Sequence, residues 1–315
     1  MDAPQLFNGL IAEMRKAIVG QDRLIERLLI SLLADGHLLL EGVPGLAKTK
    51  VLQVLSACIE ARMQRVQFTP DLLPSDLLGT EVYRPNTGEF VIRQGPIFTN
   101  VLLADEINRA PAKVQSALLQ AMQERQVSIG EHTFVLPSPF LVLATQNPIE
   151  QEGTYPLPEA QLDRFLMKVI VNYPSFQEEV QIVELVTSKA KDEKISAVLN
   201  LVQLEELRRL CQEVYVDPKV FRYVVALVQA SREPKKLGLD GMIEWGASPR
   251  ASIALIAAAR SLAFIRGKKF ITPDEVKELA PDVLRHRILP SFEGEARGIT
   301  PDEIVGVILR SVTVP

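Results

Sequence analysis

A glycine-rich turn that ends in a lysine and a threonine follows the first apolar run of the chain. It reads GVPGLAKT over residues 42–49 and fits the pattern G-x-x-x-x-[G]-K-[ST], with Ala47 where a glycine is usual. Small residues at a strand-to-helix turn let backbone N–H groups converge on a phosphate, and the helix that follows points its positive dipole end at the same oxygens. Lys48 adds a positive charge toward the β- and γ-phosphates, and the Thr49 hydroxyl is suited to Mg²⁺.

This turn is expected to bind the phosphates of a nucleotide. A methyl group at Ala47 is compatible with that role if the residue already has helical φ, and harmful if φ must be positive. A glycine-rich turn with a solvated lysine is the alternative, which the strand before it and the helix after it disfavour. The residues expected to contact the nucleotide here are Gly42, Val43, Pro44, Gly45, Leu46, Ala47, Lys48, Thr49 and Lys50.

A second apolar run, VLLADE, ends in the adjacent carboxylates Asp105 and Glu106. A buried strand seldom ends in two acids unless a cation lies nearby. Asp105, together with Thr49, is therefore expected to hold Mg²⁺. Glu106 is expected to accept a proton from an attacking water or to orient it. Two solvated loop acids are the alternative, which is weaker beside a phosphate-binding turn.

Three further polar positions are candidates for the same chemistry. Asn147 follows a third apolar run, and parallel strands end at one sheet edge, so it can reach the γ-phosphate or the water; a turn residue before proline is the alternative. Arg164 and Arg250 carry guanidinium groups suited to a transferring phosphoryl group, and Arg109 is a third candidate of lower weight. A surface salt bridge is the commoner fate of an arginine.

Five short apolar runs alternate with helical patterns in the first two thirds of the chain. Continuous runs such as Leu38–Leu40 are typical of parallel strands covered on both faces. The order strand, helix, strand, helix predicts a three-layer α/β domain with a parallel five-stranded sheet. The predicted strands are His37–Glu41, Met63–Phe68, Val101–Asp105, Phe140–Thr145 and Lys168–Asn172, and the predicted helices are Leu24–Leu33, Lys48–Cys58 and Lys113–Glu124.

Two β-hairpins are predicted to interrupt this alternation, at Val82–Arg93 and Val127–Leu136. After Tyr173 helical spacing dominates, with helix-start signals at Thr272 and Thr300, each followed by proline and a glutamate. The expected division is an α/β nucleotide-binding domain with two hairpin inserts over residues 1–175, a linker over 176–196, and a small all-helical lid domain over 197–315.

Composition excludes several classes of protein. The 315 residues are 47% hydrophobic and 23% charged, which excludes global disorder and a coiled-coil rod. A net charge of −4 gives no general attraction to nucleic acid. Cys58 and Cys211 lie outside any CxxC pattern, which favours a reducing compartment. No signal peptide and no apolar run long enough for a membrane span is present, so a cytoplasmic location is expected.

Taken together, these motifs resemble the AAA+ ATPases and, within them, the MoxR family, over nearly the whole chain. GVPGLAKT resembles the MoxR form of Walker A, LLADEINRAP at residues 102–111 the Walker B region, and ATQNP at residues 144–148 sensor 1. LDRF at residues 162–165 resembles the arginine-finger motif, and SPR at residues 248–250 resembles sensor 2. The segment IVGQ at residues 18–21 is similar to the adenine-side segment of the family, and the hairpins are similar to its two inserts.

The resemblance implies a hexameric ring with ATP and Mg²⁺ bound between subunits. It implies that Val19 and Gly20 contact the nucleotide, that Arg164 acts on a neighbour's nucleotide, and that Arg250 contacts the γ-phosphate from the small domain. It also implies a chaperone-like ATPase that remodels or matures client proteins, including ones with a von Willebrand factor A (VWA) domain, with roles such as metal-centre insertion; the client and the need for an adaptor are open.

Two other functions are weighed against this one. A DNA-acting motor of the same superfamily is disfavoured because the hairpins carry few basic residues, only Arg84 and Arg93 in the first and none in the second. A nucleotide-gated scaffold without turnover is disfavoured by the joint presence of Asp105, Glu106 and Arg164.

Overall fold

The computed structural model describes residues 3–42, 48–147, 155–187 and 194–315. The strands, in chain order, are β1 Leu38–Glu41, β2 Met63–Gln67, β3 Gly79–Arg84, β4 Glu89–Gln94, β5 Val101–Asp105, β6 Gln126–Ile129, β7 His132–Val135, β8 Leu141–Gln146, β9 Met167–Ile170, β10 Ile243–Trp245 and β11 Leu289–Pro290. The helices are α1 Ala3–Arg15, α2 Asp22–Leu33, α3 Lys48–Cys58, α4 Pro74–Leu78, α5 Ala112–Glu124, α6 Glu159–Leu162, α7 Phe176–Thr187, α8 Leu201–Gln212, α9 Pro218–Ala230, α10 Pro249–Ile265, α11 Pro273–Leu284, α12 Phe292–Ala296 and α13 Pro301–Ser311.

The predicted parallel five-stranded sheet is confirmed, with the strand order β2-β5-β8-β1-β9. Its apolar strands pack against a helical layer on each side, because successive side chains point to opposite faces of the sheet. Leu38 and Leu40 join the core formed with α1, α2, α3 and the C-terminal helices, whereas Leu39 joins a second core formed with α5. The predicted three-layer architecture follows from this alternation.

The predicted elements agree with the structure within a few residues. Helix α3 has the predicted bounds, α2 begins two residues earlier at Asp22, and α5 begins one residue earlier at Ala112. Both hairpins form: β3 pairs with β4 and β6 pairs with β7, each antiparallel. The first hairpin begins at Gly79, three residues earlier than predicted. Its start has φ +110°, and a Cβ there would lie 2.3 Å from the Arg93 carbonyl oxygen.

The C-terminal part is helical, as predicted, with the addition of one short antiparallel pair. Strands β10 and β11 pair Ile243 with Pro290 and Trp245 with Leu289. Strands of three and two residues are too short to show alternation, which is why the sequence did not predict them. The two helix starts at Thr272 and Thr300 form the predicted capping boxes with Glu275 and Glu303. The division of the chain at residues 175 and 196 stays a prediction.

Helices from both ends of the chain pack in one hydrophobic core, which joins α1 and α2 to α8, α10 and α11. A buried ionic cluster lies at the same junction. Asp282, with no exposed side-chain surface, accepts hydrogen bonds from Arg27 on α2 at 2.9 Å and from Arg285 at 2.7 Å. Arg23 reaches the same carboxylate from solvent at 2.8 Å. The C-terminal helices are therefore fixed against the N-terminal helices of the same chain.

None of the helices in the described ranges is long and apolar enough to span a membrane.

Candidate functional site

The carboxyl ends of the parallel strands gather the polar candidates at one edge of the sheet. Gly42 follows β1, Asp105 ends β5, Glu106 follows it, and Asn147 follows β8. Because β8 lies between β5 and β1, Asn147 occupies the position between the two acids and the glycine-rich turn. It is 7% exposed. Four of the predicted positions thus share one edge, as the sequence reasoning expected of adjacent parallel strands.

The two ends of the glycine-rich turn are described, while Val43, Pro44, Gly45, Leu46 and Ala47 lie outside the described residues. At the start of the turn, Gly42 lies against Val171, the residue that follows β9. A Cβ on Gly42 would lie 2.6 Å from the Val171 carbonyl oxygen, so only glycine fits. At its end, helix α3 begins at Lys48, whose Nζ donates to the Gly42 carbonyl oxygen at 2.8 Å. Thr49 is half-buried, and Lys50 is exposed.

The charge of Lys48 interacts with both acids of the site. Burial lowers the pKa of Lys48, while the negative charges of Asp105 and Glu106 act in the opposite direction. The two carboxylates favour the protonated form of the amine, which is the form that binds phosphate oxygens. The lysine and the two acids therefore belong to one electrostatic cluster.

The carboxylate of Asp105 is held on both oxygens. Thr145, at the end of β8, donates from Oγ1 to Asp105 Oδ1 at 2.7 Å. Arg65 on β2 donates to Oδ2 from Nη2 at 2.7 Å and from Nε at 3.2 Å. Its side chain is 51% exposed, against 19% for Asp105. The carboxylate is thus fixed in orientation, with an arginine from the edge strand balancing its charge.

Glu106 has a backbone conformation that is uncommon for a residue other than glycine. Its φ of 56° and ψ of 51° are left-handed, which costs about 1 kcal/mol or more and is typical of functional positions. A hydrogen bond from the Glu106 N–H to Thr145 Oγ1, at 2.8 Å, stabilises this conformation. Its carboxylate accepts at Oε2 from Gln67 Nε2 at 2.9 Å and from Arg109 Nη1 at 3.2 Å.

Three of these contacting residues were not predicted as site residues: Arg65, Gln67 and Thr145. Arg65 and Gln67 belong to β2, which was predicted as a strand, but the sequence does not show that this strand lies beside β5. The available signal was position, because Gln67 and Thr145 stand at the carboxyl ends of predicted strands, as Asp105 does. Arg109, the third arginine candidate, contacts Glu106 and so lies in the site.

A cavity of about 180 Å³ lies on the opposite side of the glycine-rich turn from the acids. It is lined by Val19, Gly20 and the end of β9, including Val171, which touches Gly42. Gly20 has φ +65°, and a Cβ there would lie 2.6 Å from Glu178 Oε1. The two residues that the family resemblance assigned to nucleotide contact thus line a small cavity next to the turn.

Arg164 and Arg250 lie elsewhere in the chain's own structure. The Leu166 N–H donates to the carbonyl oxygen of His37, the residue before β1, at 2.8 Å. Arg164 lies two residues before Leu166 and is therefore near the amino ends of the parallel strands. The amino edge of the sheet lies about 15 Å from its carboxyl edge, because β1 and its flanking residues rise ~3.3 Å per residue. Arg164 is half-buried, and its Nε, which is buried, has no hydrogen-bond partner in the described structure.

The neighbouring Asp163 connects this motif to the C-terminal region. Asp163 Oδ2 accepts from Ser248 Oγ at 2.9 Å, and its Oδ1 accepts from Arg287 Nε at 2.7 Å. Arg250 Nη1 lies 3.9 Å from the same carboxylate, with its side chain 53% exposed. Ser248 caps α10 by accepting from the Arg250 N–H. The structure brings Arg164 and Arg250 to the same region, but not to Lys48 of the same chain.

Comparison with known proteins agrees with this geometry. The family described as "ATPase family associated with various cellular activities (AAA)" matches residues 37–167, and the AAA lid domain matches residues 239–306. The chain is 50% identical to Chaperone MoxR1 of Mycobacterium tuberculosis, over 97% of this chain and 81% of that protein. It is 31% identical to Protein MoxR of Methylorubrum extorquens, over 96% and 93% of the two chains.

A crystal structure of a protein from Cytophaga hutchinsonii superposes with a TM-score of 0.94 at 45% identity, covering 99% of this chain and 96% of that one. Membership in an ATPase family implies nucleotide binding, and the cluster of Lys48, Asp105 and Glu106 at the carboxyl edge agrees with that implication. On sequence, fold and arrangement of these residues, the chain belongs to the MoxR family of AAA+ ATPases.

Proposed function

We propose that the chain binds Mg·ATP at the carboxyl edge of the sheet and hydrolyses it to ADP and phosphate. The observation that carries this proposal is the cluster of Lys48, Asp105 and Glu106. Asp105 at the end of β5 and Glu106 directly after it interact with the charge of the lysine that begins α3. Gly42 through Lys50 hold the phosphates. The base lies toward Val19 and Gly20, because the γ-phosphate must face the acids on the other side of the turn.

Each side chain at this edge has a role in water attack. Glu106 accepts a proton from the attacking water, and its left-handed backbone is held by the hydrogen bond from its N–H to Thr145. Asn147, between the acids and the turn, orients the water or the γ-phosphate. Thr145 fixes both acids through one hydroxyl.

The residues present suit a magnesium ion. Mg²⁺ prefers oxygen ligands, keeps several waters, and is usually bound by one or two protein side chains plus substrate phosphates. The Thr49 hydroxyl and the Asp105 carboxylate are donors of this kind, and Arg65 already places a positive charge against Asp105. When bound, the ion would neutralise charge on the phosphates.

Arg164 and Arg250 act on the nucleotide of a neighbouring subunit in a hexameric ring. Their position at the amino edge, away from Lys48 of their own chain, supports action in trans for both. A guanidinium in each position stabilises the charge of the transferring phosphoryl group. The buried Arg164 Nε without a partner in the described structure is consistent with a ligand supplied by another chain.

The energy of hydrolysis drives a chaperone-like activity on a client protein in the cytoplasm. The name of the M. tuberculosis relative supports this, and the paired hairpins offer exposed side chains, including Tyr83 and Phe90, for client contact. The clients or adaptors that we propose include proteins with a VWA domain and proteins that require insertion of a metal centre. The chain divides for this purpose into an ATPase domain over residues 1–175, a linker over 176–196 and a lid over 197–315.

Phosphate release from ATP at ring-forming protein concentration tests the proposal. Glu106→Gln should bind ATP with near wild-type affinity and lose turnover, because the water then lacks a proton acceptor. Wild-type protein that binds ATP without releasing phosphate would indicate a scaffold. Near-normal turnover by Glu106→Gln would remove Glu106 from its role.

Mixed rings test the assignment of the arginines. Arg164→Ala and Arg250→Ala should each bind ATP and lose hydrolysis. Mixing either with Lys48→Ala subunits should restore part of the activity, since some interfaces then pair an intact turn with an intact arginine. No recovery in mixed rings would count against action in trans.

A further inference from the structure

Arg65 is the one cation in direct contact with Asp105 among the described residues. It belongs to β2, the edge strand of the sheet, where its backbone is in register with Leu103 of β5. Both of its contacts fall on Oδ2 of Asp105, while Oδ1 is taken by Thr145. The arginine therefore satisfies the oxygen of Asp105 that points away from the neighbouring strand β8.

Arg65 also shares a cavity with the other expected metal ligand. A cavity of about 490 Å³ is lined by both Thr49 and Arg65, between α3 and β2. Arg65, which contacts Asp105, and Thr49, which lies in the first turn of α3, thus border the same space. A divalent cation held jointly by Thr49 and Asp105 would stand beside this guanidinium, and two like charges at such short range repel each other.

On these contacts, and resting on the proposed function, we propose that Arg65 is a displaceable cation that occupies Asp105 until Mg·ATP binds, and so sets the Mg²⁺ concentration that the site requires. Arg65 can leave because its side chain is half-exposed and its one other hydrogen bond within the described part of the chain is to Gln67. A half-exposed ion pair is weak enough for a divalent ion to replace it. Arg65 is a positioning residue, since it acts through Asp105.

The same displacement reaches Glu106. Arg65 Nη2 donates to Gln67 Oε1 at 3.1 Å, and Gln67 Nε2 donates to Glu106 Oε2 at 2.9 Å. When the guanidinium leaves Asp105, Gln67 loses the contact that fixes the orientation of its amide. Two side chains of β2 thereby connect the carboxylate of Asp105 with that of Glu106, which Arg109 also contacts.

The test is a Mg²⁺ titration of the binding of a fluorescent ATP analogue by the full-length protein, with affinity in excess EDTA measured alongside. Arg65→Gln should lower the Mg²⁺ concentration for half-saturation about two- to fivefold, the range that exposed ion pairs support. The affinity in EDTA and the melting temperature should stay at wild-type values. Arg65→Lys keeps the charge and should stay close to wild type.

Arg297→Gln is the matched control, because it removes the same charge from an exposed ion pair with Glu293 far along the chain. It should leave the Mg²⁺ dependence unchanged. An unchanged half-saturation in Arg65→Gln would overturn the proposal, and so would an increase, which would mean that Arg65 supports the metal site. Failure of the wild-type protein to bind the analogue with or without Mg²⁺ would instead overturn the proposed function.

Discussion

Gln67 Nε2 donates a hydrogen bond of 2.9 Å to Glu106 Oε2, which joins the last residue of the edge strand β2 to the acid expected to activate water. The direction of the Gln67 amide is fixed because its oxygen accepts from Arg65. Glu106 Oε2 also accepts from Arg109 Nη1 at 3.2 Å, so two protein donors engage this carboxylate oxygen. Gln67 is therefore positioned to lower the reactivity of the Glu106 carboxylate toward water.

Replacement of Gln67 by alanine should raise basal ATP turnover about two- to fivefold, the rate equivalent of one hydrogen bond of ~0.5–1 kcal/mol. KM for ATP should change little, because Gln67 contacts the acid and not the phosphate turn. Steady-state phosphate release measures both parameters. A fall in kcat would mean that the hydrogen bond aligns Glu106 for catalysis instead.

Gly42 lies against β9, and its replacement by alanine tests how tightly the turn is built. The added Cβ would lie 2.6 Å from the Val171 carbonyl oxygen, and Val171 cannot easily retreat because its N–H bonds to Glu41 at 2.8 Å. We expect a loss of about 1–3 kcal/mol in the free energy of unfolding and weaker ATP binding. Denaturant unfolding and nucleotide titration measure the two effects.

Gly9→Ala is the matched control for this substitution. Gly9 lies within helix α1, where the nearest atom to an added Cβ is Val198 Cγ1 at 3.8 Å. The change should be neutral or stabilise by up to about 1 kcal/mol through helix propensity. Equal effects of the two alanines would contradict the close approach at Gly42.

The sheet and the acids at its edge could be predicted from the sequence because both leave a local signal. Continuous apolar runs such as Leu38–Leu40 mark buried parallel strands, and Asp105 with Glu106 stands out at the end of one. The strand that holds Gln67 and Arg65 was also predicted, but their contacts with the two acids leave no local signal. Their role depends on which strand lies beside β5, and strand order is a property of the whole fold.

The place of Arg250 also could not be predicted from its neighbours in the sequence. The SPR motif begins helix α10, where Ser248 acts as the cap by accepting from the Arg250 N–H. Which part of the α/β region that helix start faces is decided by contacts over long sequence separations, such as Arg287 with Asp163. Those contacts bring Arg250 toward the arginine-finger motif instead of toward Lys48.

Asp282 should be among the most sensitive polar positions for stability. It is fully buried and accepts from Arg27 and Arg285, which connects α2 to α11. Asp282→Ala removes the buried carboxylate that both guanidinium groups share and leaves them only the more exposed Glu26, Glu278 and Asp302, which should cost about 3 kcal/mol in the free energy of unfolding. Glu293→Ala, which breaks an exposed pair with Arg297, should cost under about 1 kcal/mol. Chemical denaturation of both variants compares the two; similar losses would refute the importance of the buried cluster.

Two buried histidines should make the protein less stable in acid. Burial, reinforced by the charge of Arg125, lowers the pKa of His37 to about 3, and burial also lowers the pKa of His286 well below its usual value. In His37 the Nδ1 atom accepts the Val142 N–H at 3.0 Å, so a proton there would meet another donor. Because the unfolded chain binds these protons near pH 6.5, stability is present above that pH and is lost as pH falls toward 3.

Each such histidine contributes a slope of up to about 1.4 kcal/mol per pH unit below pH 6.5. The free energy of unfolding, measured by denaturant between pH 7.5 and 5, should therefore fall with acidification. His37→Asn, whose amide oxygen can still accept the Val142 N–H, should show a smaller slope than wild type. An identical slope would show that His37 does not resist protonation in the folded state.

The Thr145 hydroxyl contacts both acidic residues of the site. Its removal should change the positions of Asp105 and Glu106 without changing their charges. It donates to Asp105 Oδ1 at 2.7 Å and accepts the Glu106 N–H at 2.8 Å. Valine has the same shape without the oxygen, so Thr145→Val leaves the strained Glu106 backbone without its partner, at a cost of about 1–3 kcal/mol. ATP turnover should fall about tenfold or more, because Glu106 is no longer held in the productive orientation. Thr145→Ser retains the hydroxyl and should preserve most of the turnover despite a small cavity. If serine lost as much turnover as valine, packing around the missing methyl group, and not the hydroxyl, would position the acids.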